Sequence, residues 1–449
     1  MTTAMMIVVA SSQTAFAQAV PSSDSGSSAA QGTKGAMAAK TPPTPDTATP
    51  ATPATNQAPP PPPSFTSSGP FSFSAAVTAD MLADVAGGIS QGVKLLTKTN
   101  LAASYDGSAG NGSGFLGPGW TGQASLQYVK GGHISAANVG DVQGLDSIEA
   151  FNALRLYELW LQRQWAGGKY GVKFGFTDLN VDFDTQQVAA LFLNSSDGVG
   201  AEFGHSGLNG PSIYPTTALG LSGYFKPGDP WTLRAGVLNG LAGSDTHPSD
   251  FVAVHISART GALLVVQAEH VGASGLRTYI GGWAYTADFD ALHLVDAKGN
   301  PLRRARMRGA YGLVEGQIGG SSGGRSLSGW VRAGLGDPVV ERISGYIGGG
   351  LVVTGLFKRR SEDQAGISIN HAIVDQPGLP PGAFPAKRAE TAIELTYRVQ
   401  AKDWLSVQPD LQYIHRPNGD PTIPSALVVG MRLSVSLTKN LVDKIKGGP

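Results

Sequence analysis

The sequence predicts an all-β chain, a sixteen-stranded antiparallel transmembrane β-barrel with one long loop folded into it. Three observations carry this. First, every second residue is apolar in two runs separated by a Pro-, Asn- and Gly-rich turn: Leu405, Val407, Pro409, Leu411 and Tyr413, then Leu427, Val429, Met431, Leu433, Val435 and Leu437. Alternation over about ten residues is what a tilted strand needs to cross a bilayer with one face in lipid and the other in water. A soluble sandwich strand is usually only about five or six residues long. Second, such segments recur sixteen times, an even number, as bacterial single-chain barrels require. Third, short connections alternate with long ones, which fits tight turns at one membrane face and loops at the other.

The elements follow in order. Met1 to Ala17 has a short apolar core, Met5 to Ala10, and the A-x-A site Ala15-Phe16-Ala17, so residues 1–17 are expected to be a secretory signal whose basic start lies upstream. Residues 18–66 are rich in Pro, Ala, Thr and Ser and end near the run Pro59 to Pro63. With little apolar surface to offset ordering entropy, they should form a disordered tether. The barrel is expected over 67–437, with a tail at 438–449. Its strands are expected at 71–79, 95–105, 120–129, 154–165, 169–177, 217–225, 231–239, 262–270, 276–286, 308–318, 326–335, 345–357, 364–372, 389–400, 403–414 and 426–437. Phe251 to Ser257 is a further candidate that also suits a loop. The long connections are 178–216, 286–307 and 415–425. Tyr397, Tyr413, Trp231 and Trp404, near strand ends, suit an aromatic girdle.

Composition removes other classes. The 449 residues carry a formal net charge of zero, so no electrostatic case for nucleic acid exists. With no Cys, disulfides and thiolate metal sites are impossible. No apolar run approaches the roughly 20 residues of a membrane helix. Gly112 to Gly117 spells G-x-G-x-x-G but runs into Pro118-Gly119 instead of a helix, and Gly320 to Gly324 spells G-x-S-x-G inside a Gly/Ser turn. Both are taken as turns. No metal-ligand pairs and no Ser–His–acid set can be assembled, so no cofactor and no enzymatic activity are expected. A barrel enzyme and a secreted β-sandwich adhesin are the weaker alternatives.

Three blocks carry a family resemblance: Val139-Gly-Asp-Val-Gln-Gly144 through Arg155-Leu-Tyr-Glu-Leu-Trp-Leu161; Asp178-Leu-Asn-Val-Asp-Phe-Asp184 with Ala190 to Ser196 and Asn209 to Pro215; and Gln408 to Ile414 through Ala426 to Leu433. In order and spacing the ordered part resembles the carbohydrate-selective porins of the OprB type. The resemblance implies a location in the bacterial outer membrane, facilitated diffusion of small sugars, and a constriction by an inward loop, for which Asp178 to Thr216 is the candidate. A general or organic-acid-selective porin of the same fold is the alternative. The chain departs from the usual pattern in its Pro-rich tether and in not ending on the aromatic residue common to such barrels.

Sugars are bound by planar polar groups and aromatic faces. The expected pore-lining residues are Asp178, Asn180, Asp182, Asp184, Asn194 and Ser196 on the loop, and Glu158, Trp160, Lys173 and Arg234 on strands. Glu394, Arg398, Asp410 and Arg432 are expected to face the lumen and pair with one another across strands. Trp160 is open between a lumen position and the lipid girdle, and His205 between the pore and a plain loop. Arg303, Arg304, Arg306 and Arg308 suit an anion funnel or a contact to lipopolysaccharide phosphate, or simply a solvated strand end. Outer-membrane lipid is an expected partner, and homo-oligomerisation is left open.

Overall fold

The computed structural model describes residues 69–108, 114–320, 324–375 and 388–440. The expected signal, all of the tether, the first two residues of the G-x-G-x-x-G motif, the centre of the G-x-S-x-G motif and most of the tail lie outside the described residues; Gly114 to Gly117 lie in a turn. The barrel strands are β1 (Phe71–Ala86), β2 (Gly92–Asp106), β3 (Trp120–Gly131), β4 (Ala153–Trp165), β5 (Tyr170–Thr177), β6 (Ala218–Gly228), β7 (Trp231–Asn239), β8 (Ala262–Val271) and β9 (Arg277–Tyr285). They continue with β12 (Arg308–Gly320), β13 (Ser326–Gly336), β14 (Ile343–Thr354), β15 (Gln364–Val374), β16 (Arg388–Lys402), β17 (Leu405–His415) and β18 (Ala426–Asn440). These sixteen close into one antiparallel ring in which β1 bonds β18. Closure leaves no unpaired edge, which the hydrocarbon would penalise at every N–H and C=O.

Each expected strand is present, with three differences. Strand β1 runs to Ala86 rather than residue 79, because Asp80 and Asp84 face inward and mask the apolar period. Strand β18 runs to Asn440, three residues into the expected tail. The connection 286–307 is not a plain loop but holds a hairpin, β10 (Asp288–Val295) and β11 (Pro301–Ala305), outside the ring. Phe251 to Ser257 is loop.

The outer face is apolar. Leu159, Leu161, Phe174, Val266, Ile280, Leu335, Ile369, Leu395 and Val429 are exposed there. Exposed Trp165, Trp231 and Trp404 lie at the short-turn rim, and exposed Tyr128, Phe151 and Tyr413 at the long-loop rim. Tyr397 is instead half-buried, its hydroxyl bonded to Asp363 at 2.6 Å. Both chain ends of the ring lie on the short-turn side, the periplasmic side of such barrels.

Candidate functional site

The interior is built by the connection between β5 and β6. It enters the barrel and crosses it, because its apolar residues find surface only on the inner wall. Leu179, Phe183 and Phe203 pack against Tyr279, Trp283, Tyr285 and Tyr311. Val188, Leu191 and Phe192 pack against Trp330 and Val352. Leu193 reaches the opposite wall at Leu82, Ile414 and Val428. Three one-turn 3₁₀ segments, at 179–181, 189–191 and 195–197, let the chain turn sharply in this space. A second inward segment, from the β3–β4 connection, was not foreseen. Its Ile134, Val139, Leu145 and Ile148 are buried, and it bonds the loop through Ser195 N to Gly144 O at 2.8 Å and Ser147 N to Leu193 O at 2.7 Å.

Wall carboxylates hold the loop by its backbone. Glu394 accepts from Leu193 N at 2.7 Å and Asn194 N at 2.9 Å. Glu315 accepts from Gln187 N and Val188 N, both at 2.9 Å. Gln408 Nε2 donates to Leu191 O at 2.8 Å. At the centre, Arg332 of β13 is fully buried between two loop carboxylates. Its Nη2 lies 2.7 Å from both Asp184 Oδ2 and Glu202 Oε1. A Cβ on Gly200 would stand 1.7 Å from Arg332 Nη1, so glycine there is a requirement of close approach.

The expected site residues separate into two groups. Asp184, Asn194, Ser196, Glu394 and Asp410 are at most 4% exposed. The structure sets them between loop and wall rather than on an open channel. Asp184 is consumed by Arg332 and also accepts from Tyr279 Oη at 3.1 Å. Asn194 and Ser196 cap the turn at 195–197, through Ser196 N to Asn194 Oδ1 at 3.0 Å. Asp410 accepts from Gln412 Nε2 at 3.0 Å. Nor do Arg398 and Arg432 pair with Glu394 and Asp410 as expected. Arg398 bonds Gln364, and Arg432 bonds Asp80 at 2.7 Å and Asp146 at 3.1 Å. Glu394 meets backbone donors of the loop instead, and Asp410 meets the side-chain amide of Gln412.

The other group gathers on the β2–β7 wall. Lys173 Nζ lies 2.7 Å from Asp182 and 4.8 Å from the Trp160 ring centroid. Trp160 points inward and donates from Nε1 to Glu158 at 3.1 Å. A bulge in β4 explains the phase: Ser125 pairs Glu158 but Leu126 pairs Leu156. Tyr157 is therefore an extra residue, and Arg155, Tyr157, Glu158 and Trp160 all face inward. Tyr157 donates to Asp178, whose carboxyl burial pushes above its ordinary range. Asn180 is spent on the carbonyls of Phe183, Asp184 and Gly198. Asp182 and Arg234 keep most water contact, at 25% and 22% side-chain exposure. His205 is exposed and lines a cavity of about 370 Å³ with Asn209, Tyr214 and Thr216.

Sequence reasoning missed Arg332, Arg277, Glu315, Glu269 and Glu202. Arg277 lies 2.6 Å from both Glu269 and Glu315, and Arg234 3.4 Å from Glu269. Strand phase marks the wall members as inward, since lipid-facing Val331 and Val314 adjoin Arg332 and Glu315, but not as partners.

A family model for carbohydrate-selective porins of the OprB family matches residues 116–437, well over half of the chain. Porin B of Pseudomonas aeruginosa is 29% identical over 340 residues, covering 68% of this chain and 71% of the relative. A high-pH structure of Pseudomonas putida OprB superposes with a TM-score of 0.70 at 20% identity, covering 82% of this chain and 94% of that one. Salmonella typhi OmpF, in a complex with daunomycin, gives a TM-score of 0.51 at 10% identity over 82% of this chain and 98% of that one. The sixteen-stranded ring, the loop crossing it and the matched segment agree: this chain belongs to the OprB family of carbohydrate-selective porins of the bacterial outer membrane.

Proposed function

We propose that this porin passes mono- or oligosaccharides by passive diffusion and catalyses no reaction. The route runs beside the inward loop, past Asp182, Lys173 and Arg234. The observation that carries this reading is charge compensation along the wall. Arg234 is matched by Glu269, and Lys173 is matched by Asp182. Paired charges present strong local dipoles with little net field. Such a surface exchanges hydrogen bonds with neutral hydroxyls and gives no large preference to an anion. Glu158 and the Trp160 face add a planar acceptor and an aromatic surface of the kind that sugars meet.

Single-channel recording in planar bilayers tests this. Added sugars should reduce the current in a concentration-dependent way, and organic acids of equal size should do so less. Equal block by acids and sugars would favour an acid-selective or general porin instead.

A further inference from the structure

The outer surface holds a feature that solute passage does not use. On the lipid-facing side of β8, β9, β12 and β13 lies a trough of about 700 Å³. Its floor carries almost no side chain: Gly282 and Ala284 of β9 and Ala310 of β12. Leu264 and Val266 of β8 form one bank, and Leu335 of β13 forms the other. All three are exposed bulky residues, at 44%, 58% and 66%. The floor is two strands wide, about 10 Å at roughly 4.8 Å per strand. That is wide enough for hydrocarbon chains lying side by side.

The trough is in the outer half of the wall. Ala284 is the next-to-last residue of β9, Leu335 that of β13, and Arg308 the first of β12, all at the long-loop rim. Arg308 closes the trough at headgroup height. Its side chain is exposed, and among the described residues its guanidinium makes no ion pair or hydrogen bond. Asp337 also borders the trough, with Oδ1 accepting from Val339 N at 3.0 Å. An apolar channel in the bilayer that ends in an unmatched guanidinium is complementary to an acyl chain ending in a phosphate.

We propose that this trough is a specific seat for the phosphorylated glycolipid of the outer leaflet. Acyl chains lie on Gly282, Ala284 and Ala310, and a glucosamine phosphate is held by Arg308. The outer position presents the trough to lipid A rather than to the glycerophospholipids of the inner leaflet, and the phosphomonoester of lipid A pairs with Arg308 more strongly than a phosphodiester does. Native mass spectrometry of the full barrel in detergent, with purified lipid A or phosphatidylglycerol added, tests this. Folding of each variant is checked by heat-modifiable gel mobility. Arg308→Ala should lower lipid A retention about five-fold. Ala310→Trp, which fills the trough, should lower it at least as much, while Ile369→Trp on β15 should leave it unchanged. Three results would overturn the assignment: equal lipid A retention in all variants, phosphatidylglycerol held as well as lipid A, or Ala310→Trp dissociating an oligomer, which would make the trough a contact between copies.

Discussion

Replacing Arg332 by Ala should release the inward loop without unfolding the barrel. In the native protein the guanidinium neutralises Asp184 and Glu202, and neither carboxylate side chain has any solvent exposure. Truncation leaves two like charges buried together. Breaking a buried ion pair this way costs about 3–5 kcal/mol. The remaining anchors nearby include the amide bonds to Glu315 and Glu394. A hydrogen bond to a charged group contributes about 1.5–3 kcal/mol. The loss is therefore comparable to one two-bond anchor, enough to free the loop around Asp184 and Glu202 while residues 187–188 and 193–194 stay attached. The ring is untouched, because its strand ladders do not include these side chains. The assay is single-channel conductance and sugar block, with heat-modifiable mobility as the folding control. Conductance should rise, open-channel noise should increase and sugar block should weaken. The triple variant Arg332→Met with Asp184→Asn and Glu202→Gln removes all three charges and should recover most of the native behaviour. If folded Arg332→Ala conducts and discriminates like the native protein, the triad does not hold the loop and the reasoning fails.

Cysteine probes should sort the two groups of interior residues, since the chain has no Cys of its own. Asp182→Cys and Arg234→Cys should react quickly with a small water-soluble thiol reagent, whereas Glu394→Cys and Leu161→Cys should be slow; fast labelling at 394 would mean the loop is not seated there. Asp182→Asn should weaken sugar block and lower cation preference with no change in folding, whereas Asp184→Asn should raise conductance and noise; identical phenotypes would contradict the separation of a channel residue from an anchor. Burial pushes the Asp197 carboxyl up to about 8, where it sits beside Ser368 and Asn370. Because its folded value is raised, its contribution is full below the unfolded carboxylate range and is lost as pH rises through about 8. Channel noise and loop protease sensitivity should therefore increase from pH 7 to 9 in the native protein, and Asp197→Asn should flatten that rise.

The barrel was legible because its signal is local and periodic. Lys173 opposite Phe174, and Glu394 opposite Leu395, show which face is wet from a few residues of chain, since successive strand residues point to opposite sides. The inward loop was legible from its length together with Phe183, Leu191, Leu193 and Phe203, which need a wall to pack on. What alternation cannot tell is what meets an inward carboxylate. Glu394 binds backbone amides some 200 residues away, and Asp184 binds Arg332 from 148 residues away. The bulge at Tyr157 likewise shifts the phase of β4 by one residue with no mark in composition. Sequence alone determined the ring, its two faces and the longer of the two chain segments that enter it. Only the tertiary structure decided which interior charges remain open to solute and which are spent as anchors. A buried charge takes whatever partner the closed ring brings within reach, and that neighbour comes from a distant strand or loop rather than from the local period.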